Sequence, residues 1–353
     1  MESVKGKRVF VGLSGGVDSA VSAALLLNAG ADVTGVFIKG WYPPGMPCTW
    51  ADDRRDAMRV AAHLGLPFHT FDASVEYKKG VIDYLLAEYA AGRTPNPDIM
   101  CNREVKFGAF YDFARQHDAD FIATGHYSRA YRRAPEDAHA QLLRGIDATK
   151  DQSYFLWAIP QDALDHTLFP IGDIQKTEVR RLAEKFNLPV ATKKDSQGIC
   201  FLGSISVEDF LRNELHPTAG VAVDEKGEKI GMHDGALLHT LGERVALSDA
   251  SAGPWYVIKK DMNTNTLTVS HEHVSASKSE SILLTQTNWF ASGNDSSETL
   301  TAQYRYHGPL VEGKLALDRS SLILSTPITE PIAIGQSLVI YNRDECVGGG
   351  IIA

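Results

Sequence analysis

The stretch that most constrains this chain is a short glycine-containing turn near its beginning. Residues 9–14 have the pattern of a buried strand, and an Ala/Leu-rich helix is predicted from about 18 to 28. Between them lies the run Ser14-Gly15-Gly16-Val17-Asp18-Ser19. Main-chain N–H groups and the positive dipole end at a helix start attract anions, and glycine lets a phosphate approach the backbone closely. The turn therefore predicts a nucleotide site.

The same turn excludes the common lysine-containing phosphate loop. That loop, G-x-x-x-x-G-K-[ST], uses its lysine to reach the β- and γ-phosphates, whereas Gly16 is followed here by Val17 and Asp18. A carboxylate is unsuited to gripping phosphate directly, but it suits Mg²⁺ that accompanies pyrophosphate. We therefore expect Mg²⁺ to arrive with the nucleotide and to meet Asp18.

The wider pattern predicts an α/β fold. Strands are predicted at 33–38, 67–71 and 120–124, alternating with helices at 53–64, 75–90 and 104–117. Such alternation predicts a doubly wound, mainly parallel sheet covered on both faces, with ligands at the carboxyl ends of its strands. Later, short strands separated by Gly, Pro, Asn and Asp predict a small mixed middle domain and a C-terminal β-barrel. The predicted domain bounds are 1–203, 204–274 and 275–353.

Composition limits the partners and the location. The 353 residues carry a net charge of −9, which argues against a general nucleic-acid coat but not against a local basic patch. No apolar run reaches the roughly 18 residues of a membrane span, and the start of the sequence lacks a leader-like stretch, so we predict a cytoplasmic protein. The densest basic stretch, SRAYRR (128–133), fits a solvated face and a nucleic-acid surface equally well.

Two of the four cysteines, Cys101 and Cys200, lie in polar or glycine-containing segments at the edges of predicted elements. Neither position has the pattern of a core residue. Basic residues that favour the reactive thiolate lie near both, namely Arg103, Lys106, Lys193 and Lys194. No C-x-x-C pair occurs, so a zinc knuckle or thioredoxin-type site is not indicated. Spacing alone also fits two unrelated structural cysteines.

The opening turn resembles the pyrophosphate-binding loop of the N-type ATP pyrophosphatases. Members of that superfamily cleave ATP to AMP and pyrophosphate in order to activate a carbonyl oxygen. Further segments resemble the tRNA-specific 2-thiouridylases, and this resemblance extends from residue 9 to residue 352. These segments are TPNPDIMCNREVKF, ATGHYSR, KDQSYFL, DSQGICF and GGGII.

The resemblance implies a reaction and a set of partners. ATP would adenylate the C2 oxygen of the wobble uridine of tRNA, and a cysteine persulfide would then supply sulfur as AMP leaves. The implied tRNAs are those for Lys, Glu and Gln, and the implied sulfur donor is a cysteine desulfurase or a sulfur-relay protein.

The resemblance also implies roles for particular residues. Catalysis would fall to Cys101, to Cys200 as the persulfide carrier and to Asp98 as a proton shuttle, although Asp98 fits a cap of the next turn equally well. ATP would contact Gly12, Leu13, Ser14, Gly15, Gly16, Val17, Asp18, Ser19, Ile38 and Gly125. The tRNA would contact Asn96, Pro97, Asp98, His126, Lys150, Asp151, Gln152, Arg305, Tyr306 and Gln336.

The sequence departs from the family pattern in the middle domain. In HTLGERVALSDAS (239–251), Glu243 stands where Gln is usual and Ala246 replaces a glycine, which puts a tRNA contact there in doubt. Cys48 is interpreted as an incidental or surface residue and Cys346 as a structural one. Two other functions fit the turn: another adenylating tRNA-modifying enzyme, of the lysidine or 4-thiouridine type, and a non-catalytic module that binds nucleotide and tRNA. Lysidine chemistry needs no paired cysteines, so Cys101 and Cys200 argue against it.

Overall fold

A five-stranded parallel sheet forms the centre of the first part of the chain. The structure is a computed structural model that describes residues 4–43, 50–132, 134, 137–195, 206–249, 253–272, 279–291, 299–328, 330 and 332–353. In spatial order the strands are β3 (Phe68–Asp72), β2 (Asp32–Lys39), β1 (Arg8–Gly12), β4 (Phe121–Ala123) and β7 (Thr167–Leu168). Apolar residues occupy successive positions of β1, so that Val9 and Val11 face one core and Phe10 faces the other. The predicted parallel sheet is confirmed.

Helices cover both faces of this sheet. On the side of Val9 lie α1 (Val17–Asn28), α2 (Trp50–Leu64) and α8 (Lys176–Lys185). On the side of Phe10 lie α3 (Ser74–Tyr77), α4 (Asp83–Ala90), α5 (Pro97–Met100), α6 (Phe110–Gln116), α7 (Gln161–Asp165) and α9 (Val207–Leu215). Within the described residues, no helix has both the length and the apolar content needed to cross a membrane.

Two π-helical segments interrupt the helices on the Phe10 side. Lys78–Ile82 joins α3 to α4, and Cys101–Ala109 joins α5 to α6. The sequence pattern predicts plain helices at 75–90 and 104–117, whereas the structure begins the second one at α5 and winds its middle as a π-helix. The segments meet at Gly80, where a Cβ would lie 2.7 Å from Cγ of Glu104. Glycine permits this approach, and π turns are common at functional sites.

The middle part of the chain is a small sheet of five strands. Their order is β10 (Arg244–Val245), β11 (Trp255–Asp261), β12 (Thr266–Ser270), β8 (Gly220–Val223) and β9 (Lys229–His233). β12 and β8 run parallel, and the other neighbours are antiparallel. Val257, Leu267 and Val269 form its fully buried centre.

The last part of the chain is a closed antiparallel β-barrel, as predicted. Its order is β13 (Ser279–Trp289), β16 (Ser321–Ile328), β15 (Leu310–Leu315), β14 (Leu300–Gln303), β17 (Ser337–Asn342) and β18 (Glu345–Ile352). β13 pairs again with β18 and closes the barrel.

A hairpin from the first part extends this barrel sheet. It consists of β5 (Ser128–Tyr131) and β6 (Gln141–Arg144), and β6 pairs with β18. Across this junction the Arg144 guanidinium lies 3.5 Å from the centre of the Tyr341 ring. The first and last parts therefore share one sheet and one core, which the sequence pattern does not indicate.

Candidate nucleotide and sulfur-transfer site

The turn after β1 holds its shape through its own hydroxyl groups. The Oγ atoms of Ser14 and Ser19 lie 3.2 Å apart, and Ser14 Oγ accepts a hydrogen bond from the Gly16 N–H at 3.3 Å. Gly16 precedes α1, and no side chain among the described residues caps that helix start. Leu13 and Val17 are buried, so they offer main-chain atoms only. The first N–H groups of α1 are thus available to an anion, which the helix dipole favours.

Glycines allow backbone segments to close around this helix start. Gly15 has φ +76°, and a Cβ there would collide with the backbone carbonyl of Asp53. Gly125, in the turn after β4, lies so close to α1 that a Cβ would come within 2.7 Å of a main-chain nitrogen. A Cβ on Gly12 would lie 3.8 Å from Cδ1 of Ile38. The predicted nucleotide residues therefore converge at the carboxyl edge of the sheet.

Asp18 is bound by two side chains that sequence reasoning missed. The ammonium of Lys176 donates to both carboxylate oxygens, at 2.7 and 2.8 Å, and the Tyr127 hydroxyl donates to Oδ1 at 2.8 Å. Burial and the nearby Asp18 carboxylate raise the pKa of Tyr127, so it remains a donor. Tyr127 was within reach of prediction, since it lies in ATGHYSR. Lys176 starts a separate helix 158 positions from Asp18, and its local sequence contains no motif that predicts this contact.

Further charges surround this pair. Lys176 also contacts Asp195 at 2.9 Å, and Lys193 contacts Asp53 and Asp56 at 2.9 and 2.8 Å. Burial is the largest single influence on Asp195 and opposes its ionisation, but the hydrogen bond and charge of Lys176 together with the charges of Arg180 and Lys150 outweigh it and lower the pKa of this carboxyl. Asp195 is thus a carboxylate that shares one ammonium with Asp18.

The segment at 96–101 carries the predicted base-binding residues and the first catalytic cysteine. Asn96 Oδ1 accepts from the N–H groups of Asp98 and Ile99 at 3.2 and 3.4 Å, which caps α5, and Pro97 occupies the first turn. The cap is therefore Asn96 rather than Asp98, whose carboxylate is left for another role. Burial raises the pKa of Asp98, and the ammonium of Lys106 opposes that effect.

The prediction that Cys101 does not occupy a core position is wrong. The side chain is 3% exposed and packs in the core on the Phe10 side of the sheet. The reason is that the helix begins at Pro97, so Cys101 lies inside a helical segment rather than at its edge. Cys48 and Cys200 lie outside the described residues. Cys346 is fully buried, and burial raises its pKa to about 12, in keeping with a structural role.

His126 connects the two halves of the site. Its Nδ1 lies 2.7 Å from Thr124 Oγ1, and its Nε2 lies 3.5 Å from the Lys106 ammonium. Because the ammonium can only donate, Nε2 must accept and Nδ1 must carry the ring proton. Burial and then the charge of Lys106 lower the pKa of His126 well below its usual value. The ring is therefore a neutral acceptor, and its predicted contact with tRNA stays a prediction.

The remaining residues predicted to contact tRNA make contacts within the protein. Asp151 Oδ2 lies 3.0 Å from the Arg144 guanidinium, and the Tyr306 hydroxyl donates to the Asp151 carbonyl at 3.1 Å. Other such contacts join Gln152 to Tyr127, Lys150 to Asp195, Arg305 to Glu330, and Gln336 to Thr94. In the basic stretch, Arg129 and Arg132 donate to the carbonyls of Arg144 and Asp165. This arrangement favours a supporting role for the basic stretch.

The fold and this edge of the sheet define an α/β nucleotide-binding protein whose phosphate turn lies at the start of α1. Family models match three consecutive stretches: a tRNA methyl transferase HUP domain at 7–204, a tRNA methyl transferase PRC-barrel domain at 208–271 and an aminomethyltransferase beta-barrel domain at 279–352.

Full-length relatives give a more specific result. A protein from Pseudomonas fluorescens (strain Pf0-1) is 43% identical over 98% of this chain and 94% of its own length. One from Acinetobacter baumannii (strain SDF) is 44% identical over 98% and 97%. Both are described as tRNA-specific 2-thiouridylase MnmA. This chain belongs to the tRNA-specific 2-thiouridylase family.

Solved structures give weaker likenesses. A 4-thiouridine synthetase–RNA complex with bound ATP is 19% identical, with a TM-score of 0.35, over 56% of this chain and 45% of that one. The U34-tRNA thiolase NcsA from Methanococcus maripaludis is 18% identical, with a TM-score of 0.35, over 54% and 59%.

Proposed function

We propose that this protein transfers sulfur to C2 of the wobble uridine of tRNA in an ATP-dependent reaction. Its family membership makes it a tRNA-thiolating transferase that uses ATP. One observation carries the finer proposal: Gly125 packs on the start of α1, and the next residue, His126, contacts Lys106 on the helix that carries Cys101. The phosphate turn and the cysteine segment are therefore joined by two adjacent residues, as adenylation followed by sulfur transfer requires.

ATP would bind with its phosphates at the open start of α1, and Mg²⁺ would accompany it. The described residues contain no cluster of three or more His, Cys, Asp or Glu side chains able to hold a metal. Mg²⁺ commonly takes one or two carboxylates and completes its shell with phosphate and water. Asp18 fits this pattern. Lys176 would then exchange part of its contact with Asp18 for a phosphate oxygen.

The chain's own residues would serve adenylation as follows. The α1 N–H groups and Lys176 would stabilise charge on the departing pyrophosphate. Asp98 would accept the N3 proton of uracil as its O2 attacks the α-phosphate, because burial gives this carboxyl a raised pKa suited to proton transfer. Adenylation turns O2 into part of a good leaving group.

Sulfur transfer would use both cysteines. The terminal sulfur of a Cys200 persulfide attacks C2, and AMP leaves. The Cys101 thiolate then attacks Cys200 Sγ, the persulfide bond breaks, and the sulfur remains on C2. The Cys101–Cys200 disulfide that results needs two electrons from a thiol reductant before the next turnover. Burial of Cys101 would protect it from unrelated oxidants.

We propose tRNAs for Lys, Glu and Gln as substrates, a cysteine desulfurase or a sulfur-relay protein as donor, and the cytoplasm as the location. A persulfide on one cysteine needs a protein that delivers sulfane sulfur to it, which supports a donor protein as a partner.

Mass spectrometry of tRNA nucleosides tests the function. Wild type with ATP, Mg²⁺, tRNA and a persulfide donor should produce 2-thiouridine. Cys200→Ser should lose both thiolation and the persulfide, and Cys101→Ser should keep the persulfide but lose thiolation. Cys346→Ala is the matched control and should retain both. Thiolation by Cys200→Ser would exclude the proposed sulfur path.

A further inference from the structure

The segment that leads into α5 lies where the three parts of the chain meet. A cavity of about 290 Å³ marks this junction. Its walls include 91–94 from the first part, Leu241, Lys260 and Met262 from the middle part, and Ala333 and Ile334 beside the barrel. The segment therefore has neighbours from both β-rich parts just before it reaches the reactive residues.

Thr94 is held by both of these parts. Its N–H donates to the Ile334 carbonyl at 2.8 Å, and its carbonyl accepts from Gln336 Nε2 at 2.7 Å. Its hydroxyl lies 3.2 Å from the hydroxyl of Thr240, in the middle part. All three polar groups of Thr94 are thus bound by residues more than a hundred positions away.

Close backbone packing limits movement at the same place. Gly335 has φ +92°, and a Cβ there would lie 2.9 Å from Cβ of Arg93 and 3.0 Å from the Thr94 nitrogen. Gly92 has φ +76°, and a Cβ there would lie 2.7 Å from the sulfur of Met262. The contacts at Gly335 involve the backbone of the segment and restrict it directly, whereas the neighbour at Gly92 is the flexible Met262 side chain.

A short and stiff segment connects Thr94 to the reactive residues. Between Thr94 and Asp98 lie Pro95, Asn96 and Pro97. Both prolines fix φ, and Asn96 is tied to α5 as its cap. A displacement at Thr94 would therefore move Asp98 and the start of the helix together.

We propose that Thr240 and Gln336 are positioning residues for the reaction, which hold the segment carrying Asp98 and Cys101 through Thr94. This inference rests on the proposed roles of Asp98 and Cys101. It gives the middle part of the chain a role in the reaction, and it gives Gln336 a role distinct from its predicted contact with tRNA.

Single-turnover thiolation at saturating ATP and tRNA provides the first test. Thr240→Val keeps the side-chain volume but removes the hydroxyl, and it should lower the rate about fivefold, as expected for one lost neutral hydrogen bond. Thr240→Ser should restore the rate to within about twofold. The control is Thr266→Val on β12, whose hydroxyl bonds only to Thr264 among the described residues, and it should behave as wild type.

Gln336→Met separates positioning from tRNA binding. A positioning role predicts a saturating rate about tenfold lower with the Kd for tRNA and the KM for ATP unchanged. A direct tRNA contact predicts a raised Kd and an unchanged saturating rate, and that result would overturn the proposal for this residue.

Amide hydrogen exchange tests the inference independently of activity. Thr240→Val and Gln336→Met should speed exchange at the N–H groups of Asp98 and Ile99, which Asn96 caps, and should leave exchange in β1 unchanged. Unchanged exchange at Asp98 would overturn the inference even if wild type thiolates tRNA. If exchange rises while wild type itself does not thiolate tRNA, the proposed function is wrong, but Thr240 and Gln336 still hold the segment through Thr94.

Discussion

At the scale of single residues, one ammonium group organises the phosphate side of the site. Lys176 bridges Asp18 and Asp195, at 2.7 and 2.9 Å. Asp195 also pairs with Arg180 and Lys150, whereas Lys176 is a cation that both carboxylates share. The same cation is well placed to neutralise charge that develops on pyrophosphate as it leaves.

Lys176→Met should therefore abolish most pyrophosphate release. The loss of one preorganised charge at a departing group lowers kcat by about a hundredfold or more. Pyrophosphate formation at saturating ATP and tRNA measures it. Lys185→Met, at the exposed end of the same helix, is the control and should retain full activity. Wild-type turnover by Lys176→Met would remove this residue from the mechanism.

The buried His126 and the half-buried Asp98 and Lys106 form a group that predicts a pH effect. Burial raises the pKa of Asp98 and Lys106 lowers it, so removal of the cation should raise the pKa further. Since the base must be ionised, Lys106→Met should shift the acidic limb of the kcat profile to higher pH. Lys106→Arg keeps the charge and should leave the limb nearly in place. A limb at the same pH in both variants would show that Lys106 does not act on Asp98.

At the scale of elements, the turn between β1 and α1 contains two glycines with different roles. Gly15 is required by the backbone conformation, and Gly16 leaves space for a ligand. Gly15 has φ +76° and no room for a Cβ, whereas Gly16 has φ −97° and a Cβ there would meet only Ser14 Oγ, at 3.3 Å. Gly15 is therefore needed for the backbone conformation, and Gly16 for access to the helix start.

Gly15→Ala should lower the free energy of unfolding by about 1–3 kcal/mol, the usual effect of a strained backbone. Gly16→Ala should leave stability nearly unchanged but raise the KM for ATP, because its methyl group lies where a phosphate would approach the helix start. Thermal melting and ATP kinetics on the two variants measure this difference. Equal melting temperatures for both variants would contradict it.

Prediction from the sequence succeeded for elements with local signals and failed where the shape of an element depends on a distant contact. The strand, turn and helix at 8–28 follow from local patterns, because apolar runs and glycines mark them directly. The π-helical turn that contains Lys106 does not, since its shape depends on Gly80 meeting Glu104 from another helix. The burial of Cys101 was missed for a different reason: the helix starts at the local cap formed by Asn96 and Pro97, a signal that the prediction of a helix from 104 overlooked.

At the scale of the whole molecule, the first part and the barrel share one sheet and one core, so we expect them to unfold together. Arg144 on β6 stacks on Tyr341 of β17, and its guanidinium pairs with Asp151. The side chains of Arg144 and Asp151 are only 21% and 9% exposed. The removal of either partner leaves a mostly buried charge at the centre of the junction.

Arg144→Met should lower the free energy of unfolding by about 3 kcal/mol, because Asp151 loses its buried partner. Urea unfolding measures the change, and fluorescence from the two parts should shift together. Arg343→Met, exposed on the turn between β17 and β18, is the control and should change stability little. Independent transitions for the two parts would contradict a shared folding unit.

The pairing of β6 with β18 also sets the order of events on the ribosome. Gln141 and Glu345, which bond across this junction, are 204 positions apart. At roughly 5–20 residues per second, the hairpin must wait roughly 10–40 s for its partner strand. During that time the edge of β6 is an unpaired template for other strands. The nascent chain therefore needs β18 before the edge of β6 is covered, and we expect a chain that stops before Glu345 to leave that edge exposed.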